Sequence, residues 1–428
     1  MVSDSRSALV TTSGLDQGKR LDCHLRYTSV EREGERGCLE RCDWLGLSCP
    51  LVSGFVSRRR VLGTAALIAS ALMVATAMPG VAAAAAQPSS SVASGMTGVS
   101  CDSGGCVAVG YGQSLSSNSF PMAWRLQSGA WTEFPMPSMS QQHRLQALAC
   151  PEFGTCIAVG MTLAGTHPSG FAMELSSGTW QALDLPVDTP ALTSISCVSI
   201  EWCLAVGSKS DAAPVEIWNG TTWTQSTAAE APDPYGLDAI SCTSEIFCMA
   251  VGFSESTPLA ESWDGSSWTV LTESSTLYMG SEDLNSVSCT ASSFCAAVGT
   301  SHSCCGGLGS IQMQWDGTTW TYGKVSAPSQ IGLGGVACTG ATNCLAVGAR
   351  APGDLEHFPA QAEVELWNGM KWAKLSSSRI GAVSQLGAVS CSRPSWCAAV
   401  GGVTVGKKVG PLAMRWNGAA LARFGVPD

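Results

Sequence analysis

Seven segments of the chain repeat one pattern of apolar and polar positions. Each segment begins with alternating apolar and small residues that end in a cysteine, which predicts a strand with one packed face. After four or five residues a second cysteine opens the apolar run x-Ala-Val-Gly, which predicts a second, buried strand. These second cysteines recur at intervals of 45 to 53 residues, at Cys106, Cys156, Cys203, Cys248, Cys295, Cys344 and Cys397.

Two further strands complete each unit, as the fifth unit shows most clearly. An apolar run at 311–315 is followed by Asp316-Gly317, a tight hairpin signal, and by a fourth strand through Trp320. A four-stranded antiparallel unit repeated with this period is typical of a β-propeller blade. We therefore predict an all-β fold, a seven-bladed β-propeller of four-stranded antiparallel blades, over residues 96–428.

Four units carry the phrase Trp-[Asn or Asp]-Gly-x-x-Trp, at 218–223, 263–268, 315–320 and 367–372. With a two-residue turn, the two indoles of a phrase are expected on one face as diagonal neighbours. A tryptophan at a fixed place in successive units is what packing between blades requires. Packing is therefore favoured over ligand stacking as the role of these side chains.

The apolar run Ala297-Val298-Gly299 and the turn phrase at 315–320 together resemble the repeat of the kelch and galactose-oxidase group of propellers. The resemblance extends over residues 96–425, although most repeats keep one glycine of that group's pair and add two cysteines. It implies the propeller fold. It does not imply the copper chemistry of galactose oxidase, because no set of Tyr and His ligands can be assigned among the five tyrosines.

Small residues mark the first strand of each unit as the innermost one, because strands that converge on a channel need close backbone approach. Three residues before the first cysteine stands Gly98, Ala147, Ser194, Ala239, Ser286, Gly335 or Ala388. The residue before that is polar or glycine. No blade is expected to combine strands from both termini, so the ring should close through packing of the first blade against the seventh.

Connections of a meandering blade alternate between two faces, one holding the cysteine and Asn-Gly turns and the other holding connections of variable length. A binding site is expected on this variable face and at the mouth of the channel. The candidate binding residues are Gln146, Thr193, Asp238, Asn285, His302, Cys304, Cys305 and His357. His143 and His167 are expected in the same connections as solvated side chains.

Fourteen of the sixteen cysteines after residue 86 form local pairs that bracket predicted hairpin turns. Opposed hairpin positions lie within disulfide reach, so we predict disulfides there and no metal site. The pairs are Cys101–Cys106, Cys150–Cys156, Cys197–Cys203, Cys242–Cys248, Cys289–Cys295, Cys338–Cys344 and Cys391–Cys397. Cys304 and Cys305 are expected as an oxidised, non-catalytic pair; an intermolecular bond or a soft-metal site with His302 are the alternatives.

Residues 57–86 have the layout of an export signal. A serine and three arginines precede an uncharged, Ala-rich run of 23 residues, 64–86, that ends in small residues near a cleavage point. The segment resembles the bacterial twin-arginine signal, and an ordinary secretory signal or a retained membrane anchor are the alternatives. Residues 1–56 are expected to be a disordered extension or to precede the true start of translation, and 87–95 to be a linker.

Charge and motif content narrow the classes of function. From residue 87 onward there are 13 Lys and Arg against 25 Asp and Glu, so the basic stripe that a nucleic-acid partner requires is absent. The sequence has no nucleophile elbow, His-Glu-x-x-His helix, phosphate-binding loop or dinucleotide fingerprint. We therefore predict no cofactor, and an extracellular protein that contacts a membrane only if its signal stays uncleaved.

Two classes of function remain. The favoured one is a secreted or cell-surface β-propeller that acts as a binding or scaffold module for a glycan or a protein. The alternative is a secreted polysaccharide hydrolase or lyase, in which Asp238, Glu282 and Asp283 converge at the channel mouth as a pair of catalytic carboxylates requires.

Overall fold

The computed structural model describes residues 9–16, 19–32, 35–41, 93–114, 116, 118–165, 167–207, 213–227, 235–255, 257–271, 280–303, 308–322, 331–350, 361–375, 383–406 and 408–427. The chain divides into two compact units, Met1–Ala82 and Ala83–Asp428. Regular structure in the described residues is β-strand throughout, and no helix there is long and apolar enough to cross a membrane. The predicted export signal, 57–86, lies outside them.

The first unit contains an antiparallel sheet in which the strands follow one another in chain order. Its described strands are β1 (Leu9–Asp16), β2 (Lys19–Arg32) and β3 (Glu35–Arg41). What was expected of residues 1–56 as an extension stays a prediction.

The described residues of the second unit form seven four-stranded antiparallel blades, each a meander in chain order, which confirms the predicted fold. Blade 1 consists of β4 (Ala93–Cys101), β5 (Cys106–Gln113), β6 (Ser119–Gln127) and β7 (Ala130–Phe134). Blade 2 consists of β8 (His143–Glu152), β9 (Thr155–Thr162), β10 (Ser169–Ser176) and β11 (Thr179–Leu183). Blade 3 consists of β12 (Leu192–Ser199), β13 (Trp202–Gly207), β14 (Pro214–Trp218) and β15 (Trp223–Thr227).

The remaining blades follow the same plan. Blade 4 consists of β16 (Tyr235–Ser244), β17 (Phe247–Ser254), β18 (Thr257–Trp263) and β19 (Trp268–Val270). Blade 5 consists of β20 (Gly280–Ala291), β21 (Phe294–Ser303), β22 (Leu308–Trp315) and β23 (Trp320–Tyr322). Blade 6 consists of β24 (Ile331–Gly340), β25 (Asn343–Arg350), β26 (Gln361–Trp367) and β27 (Trp372–Lys374). Blade 7 consists of β28 (Val383–Arg393), β29 (Trp396–Val405), β30 (Lys408–Trp416) and β31 (Leu421–Phe424).

The first strand of each blade is the innermost. These strands contact one another in order around the ring, from β4 to β28, and β28 contacts β4 again. The small residues in them allow close approach, since a Cβ on Gly98 would lie 3.0 Å from the Cα of Ala147, and one on Gly335 would lie 2.9 Å from the carbonyl oxygen of Gly387. Larger side chains here would force the strands apart.

Serines just before the first cysteine link neighbouring blades. Among the described residues, five of these hydroxyls accept a hydrogen bond of 2.9–3.2 Å from the cysteine amide of the next blade. The pairs are Ser100–Cys150, Ser196–Cys242, Ser241–Cys289, Ser288–Cys338 and Ser390–Cys101. Alanine stands at this position in blades 2 and 6, as Ala149 and Ala337, and a methyl group cannot accept this bond.

The ring closes through backbone pairing as well as packing. Ser390 of blade 7 accepts a bond from the amide of Cys101 in blade 1, as the equivalent serine does at four other junctions. Ala93, at the start of β4, forms a parallel bridge with Val409 of β30. The expectation that packing alone closes the ring is therefore wrong, because the residues just before position 96 extend the first strand far enough to reach the last blade.

In the blades with an Asn-Gly or Asp-Gly turn, the connection between the third and fourth strands is longer than predicted. In blade 3, residues 219–222 form a four-residue turn in which the Asn219 amide donates to the Thr222 carbonyl at 3.2 Å. Gly220 has a φ of 90°, which favours glycine. The Asn219 side chain accepts a further bond from the Thr222 amide at 2.9 Å. The two-residue turn inferred from Asn-Gly was wrong, because this side chain organises a wider loop.

The wider turn places the two tryptophans of each phrase directly opposite each other rather than diagonally. Trp218 pairs with Trp223 in register, and their ring centroids lie 5.4 Å apart. Both side chains are buried in the apolar contact between blades 2 and 3.

The first tryptophan also ties the outer turn to the cysteine turn of its own blade. The indole N–H of Trp218 donates to the carbonyl of Ile200 at 2.9 Å, and four other blades repeat the bond at 2.9–3.1 Å. In the part of the chain that the structure describes, the buried indole N–H of the second tryptophan has no partner at Trp131, Trp180, Trp223, Trp268, Trp320 or Trp372.

The predicted local cysteine pairs are disulfides. All seven pairs within the described ranges are bonded, with Cα atoms 4.0–4.1 Å apart. The second cysteine of each pair is buried between blades, with at most 2% of its surface exposed. By loop-closure entropy each short ring stabilises the fold by about 2 kcal/mol. So many disulfides indicate an oxidising, extracellular environment.

Candidate binding surfaces

Every innermost strand carries a β-bulge at the polar or glycine position that the sequence singles out. The pairing with the second strand skips one residue in each blade: Thr97, Gln146, Thr193, Asp238, Asn285, Gly334 and Gly387. A bulge re-aims a side chain, and bulges are frequent beside binding sites. Four of the predicted binding residues therefore occupy equivalent places around the axis.

Two of these four side chains link neighbouring blades. The Thr193 hydroxyl lies 2.9 Å from the carbonyl oxygen of Leu237 in blade 4, and the Asn285 amide donates to the carbonyl of Leu333 in blade 6 at 2.8 Å. Gln146 occupies the same bulge in blade 2 and is half-buried. At Thr193 and Asn285 the polar group thus has a partner within the ring.

Asp238 occupies the same bulge in blade 4. Unlike Thr193 and Asn285, it has no hydrogen to donate to a carbonyl group of the next blade when its carboxylate is ionised. Burial, and then the charge of Asp283 on the neighbouring innermost strand, raise the pKa of Asp238 to about 6. Burial also raises the pKa of Asp283, against the opposing effects of His302 and of a hydrogen bond from Ser281. The two carboxylates therefore lie on neighbouring innermost strands, β16 and β20, near enough for the charge of Asp283 to act on Asp238.

His302 is exposed on β21, and its charge acts on Asp283, so this predicted binding residue belongs to the same cluster. Glu282, the third carboxylate of the predicted catalytic set, is buried in β20, one residue before Asp283. The other three predicted binding residues, Cys304, Cys305 and His357, lie outside the described residues.

His143 is not a solvated loop side chain. It lies buried at the start of β8, where its ring stacks on Phe171 with centroids 4.0 Å apart and its Nδ1 lies 3.0 Å from the Thr162 hydroxyl. Burial lowers the pKa of His143. The expectation failed because the innermost strand of blade 2 begins earlier than its alternation of apolar residues suggests.

Three buried acids between blades escaped the sequence analysis. Glu216, Glu261 and Glu365 occupy one place, two residues before the turn tryptophan, and at most 9% of each is exposed. Burial raises the pKa of Glu216 to about 7, although Thr189 hydrogen-bonds to it, and burial also raises the pKa of Glu365. Their common distance from the turn tryptophan is the signal that could have revealed them, because the third strand is covered on both faces.

A cleft of about 350 Å³ lies on the opposite face, between blades 7 and 1, and we call it the seam cleft. Blade 1 supplies residues 102–105 and 126–129, and blade 7 supplies Arg393, Arg415 and flanking aromatic rings. At this junction the cysteine turn of blade 1 is one residue shorter than that of blade 2, since its cysteines are separated by 5 positions rather than 6.

Solved structures similar to this chain are β-propellers. The GH74 xyloglucanase from Xanthomonas campestris has a TM-score of 0.55 and 13% identity, over 78% of this chain and 54% of that one. YCF48 from Cyanidioschyzon merolae has a TM-score of 0.50 and 10% identity, over 77% of this chain and 97% of that one. No protein-family model and no curated protein matches the sequence. At these identities the similarity shows the fold alone, and by fold the second unit of the chain is a seven-bladed, disulfide-stapled β-propeller.

Proposed function

We propose that the protein is a secreted or cell-surface binding module that holds a glycan or a protein at the mouth of its channel. The pairing of Asp238 with Asp283 carries this proposal. A rise of the Asp238 pKa from 3.8 to about 6 corresponds to up to about 3 kcal/mol of lost stability when the group is ionised. Every other blade has a neutral residue at this bulge, so the fold does not require an acid there. Groups whose ionisation destabilises the fold are concentrated at functional sites.

The chemistry of the pair suits a ligand that donates hydrogen bonds. Ionised carboxylates are acceptors only, so sugar hydroxyls or the amino groups of a protein would satisfy them. The location of the two carboxylates also supports a binding site. Connections of variable length surround the channel mouth, whereas the opposite face repeats the same turns. Export through the segment at 57–86 would bring this surface to extracellular glycans.

A glycan array probed with the purified protein tests the proposal, followed by titration of any glycan that binds. Asp238→Asn and Asp283→Asn are each expected to weaken binding at least about tenfold, since each removes charge-assisted hydrogen bonds. Asp184→Asn is the matched control, because Asp184 is an exposed carboxylate between blades 2 and 3. Binding that neither mouth variant weakens would contradict the proposal.

The alternative of a polysaccharide hydrolase or lyase draws on the same carboxylates. Burial and the neighbouring charge of Asp283 raise the pKa of Asp238 above that of an ordinary carboxyl. A catalytic pair needs one carboxyl with a raised pKa to act as the acid. The same titration distinguishes the two functions, because an enzyme would shorten a bound oligosaccharide over time and a binding module would leave it intact. Kinship with the kelch group stays a prediction.

A further inference from the structure

We propose that the seam cleft is a second binding site, specific for a sugar ring that carries a carboxylate. It lies between blades 7 and 1 on the face of the cysteine turns, away from the channel mouth, and the proposal does not depend on the function proposed above. Its volume of about 350 Å³ lies in the range of small-molecule sites and suits one such ring.

Two arginines give the cleft its charge. Arg393 is the one basic residue among the cysteine turns of the seven units, and Arg415 approaches from β30. Within the described ranges, neither guanidinium forms an ion pair with a carboxylate. The cleft also contains Asp102, but its Oδ1 already accepts bonds from the amides of Gly104 and Gly105 at 2.7 and 3.1 Å. A positive cleft in a chain of net charge −10 favours an anionic ligand.

A second cleft shows that the positive charge of the seam cleft comes from its particular residues and not from the propeller fold. It lies between blades 6 and 7 on the same face, has the same volume of about 350 Å³, and has no charged residue in its walls. Two junctions on this face thus form clefts of the same size, and the two arginines of blade 7 make the seam cleft basic. Guanidinium groups bind carboxylates with directed, charge-assisted hydrogen bonds.

Aromatic rings point to a sugar rather than to a simple anion. Trp396 and Phe424 line the cleft and are both half-buried, and the guanidinium of Arg415 lies 5.8 Å from the Phe424 ring centre. These rings offer apolar faces for the C–H groups of a sugar, while the backbone of 126–129 offers polar groups for its hydroxyls. A carboxylate on the ring would reach the arginines.

The experiment compares two ligands that differ in one group. Methyl β-glucuronide and methyl β-glucoside are titrated into the full chain by calorimetry or by ligand-observed NMR. The glucuronide is expected to bind at least about tenfold more tightly, and raising the salt concentration should weaken it and leave the glucoside unchanged. Equal binding of the two ligands, or no binding of the glucuronide, would overturn the proposal.

Three variants locate the site. Arg393→Gln and Arg415→Gln should each weaken glucuronide binding about tenfold or more. Arg423→Gln should not, because Arg423 is exposed on β31, next to Phe424, and does not line the cleft. All three positions are exposed, so each variant should unfold at the temperature of the unchanged protein. An equal effect of Arg423→Gln would show that the attraction is unspecific.

A peptide provides the last comparison. An acetylated dipeptide with a free C-terminal carboxylate has the same charge as the glucuronide but lacks the ring. It should bind at least about tenfold more weakly than the glucuronide. If it bound more tightly, the cleft would be a site for protein C-termini and the proposal would be wrong.

Discussion

Glu216 shows how one buried side chain sets a pH dependence for the whole fold. The Thr189 hydroxyl lies 2.9 Å from the carbonyl oxygen of Pro186 and 3.1 Å from Oε1 of Glu216. The hydroxyl donates to Glu216, which favours the ionised carboxylate and opposes a rise of its pKa. Burial has the larger effect and raises the pKa of Glu216 to about 7.

Replacing Glu216 tests that dependence. Because burial raises its pKa from 4.5 to about 7, its contribution to stability is complete below pH 4.5 and is lost as the pH rises through about 7. Glu216→Gln keeps a neutral donor, so it should match the unchanged protein at pH 5 and exceed it at pH 8. The gain should be a part of the about 3 kcal/mol that this rise represents.

Urea unfolding at the two pH values measures the difference. The exposed Glu133→Gln serves as control and should change stability by similar amounts at both. An equal effect of Glu216→Gln at pH 5 and pH 8 would show that the carboxyl is ionised throughout.

The raised pKa of Asp238 predicts that ligand binding, as well as folding, depends on pH. Since its pKa lies at about 6, the acceptor form dominates above pH 6 and the protonated form below it. Affinity for a ligand at the channel mouth should therefore rise between pH 5 and pH 7, and Asp238→Asn should remove that rise. Titrations of one glycan at several pH values check this, and a profile that the variant leaves unchanged would contradict it.

At the scale of elements, the two tryptophans of each turn phrase should differ in their contribution. Trp218→Phe removes a hydrogen bond to Ile200, whereas Trp223→Phe removes an indole N–H that is buried without a described partner. Both changes leave similar cavities. Trp218→Phe should thus destabilise the protein by about 1 kcal/mol more than Trp223→Phe in urea unfolding. Equal destabilisation by the two substitutions would mean that the hydrogen bond from Trp218 to Ile200 contributes no net stability.

The strands were predictable because each blade repeats three local signals: alternation, the cysteine pair and the turn phrase. The bulges were not predicted as bulges, although the polar position that forms them was recognised from the seven-fold pattern. Thr193 and Asn285 showed polarity in the sequence, but only the neighbouring strands reveal that this polarity binds blade to blade. Asp238 and Asp283 were placed together at the channel mouth, whereas their unequal environments depend on burial that no pattern encodes.

At the scale of the whole molecule, the ring should be weakest where the linking serine is missing. The Ser390–Cys101 bond and the Ala93–Val409 bridge support the junction of the two termini. The junctions after blades 2 and 6 have alanine instead. In hydrogen exchange, the amides of Cys197 and Cys391 should therefore exchange faster than that of Cys101.

Matched substitutions test the same junctions. Ser241→Ala should cost about 1 kcal/mol, and Ala337→Ser should gain a similar amount if the new hydroxyl accepts from the Cys391 amide. Slower exchange of that amide in Ala337→Ser would confirm the bond. Unchanged exchange would show that the blades there lie too far apart.

The burial of the second cysteine in every pair decides which sulfur an oxidant can reach once the ring has packed. Disulfide formation requires that an oxidant or a partner thiol reaches the sulfur. Once blades 2 and 3 have packed, Cys203 is completely covered, whereas its partner Cys197 stays half-buried, so an oxidant can enter this pair only through Cys197. A chain that completed its ring in a reducing compartment would therefore be oxidised from the first cysteine of each pair, and the covered second cysteine would close the bond as the resolving thiol.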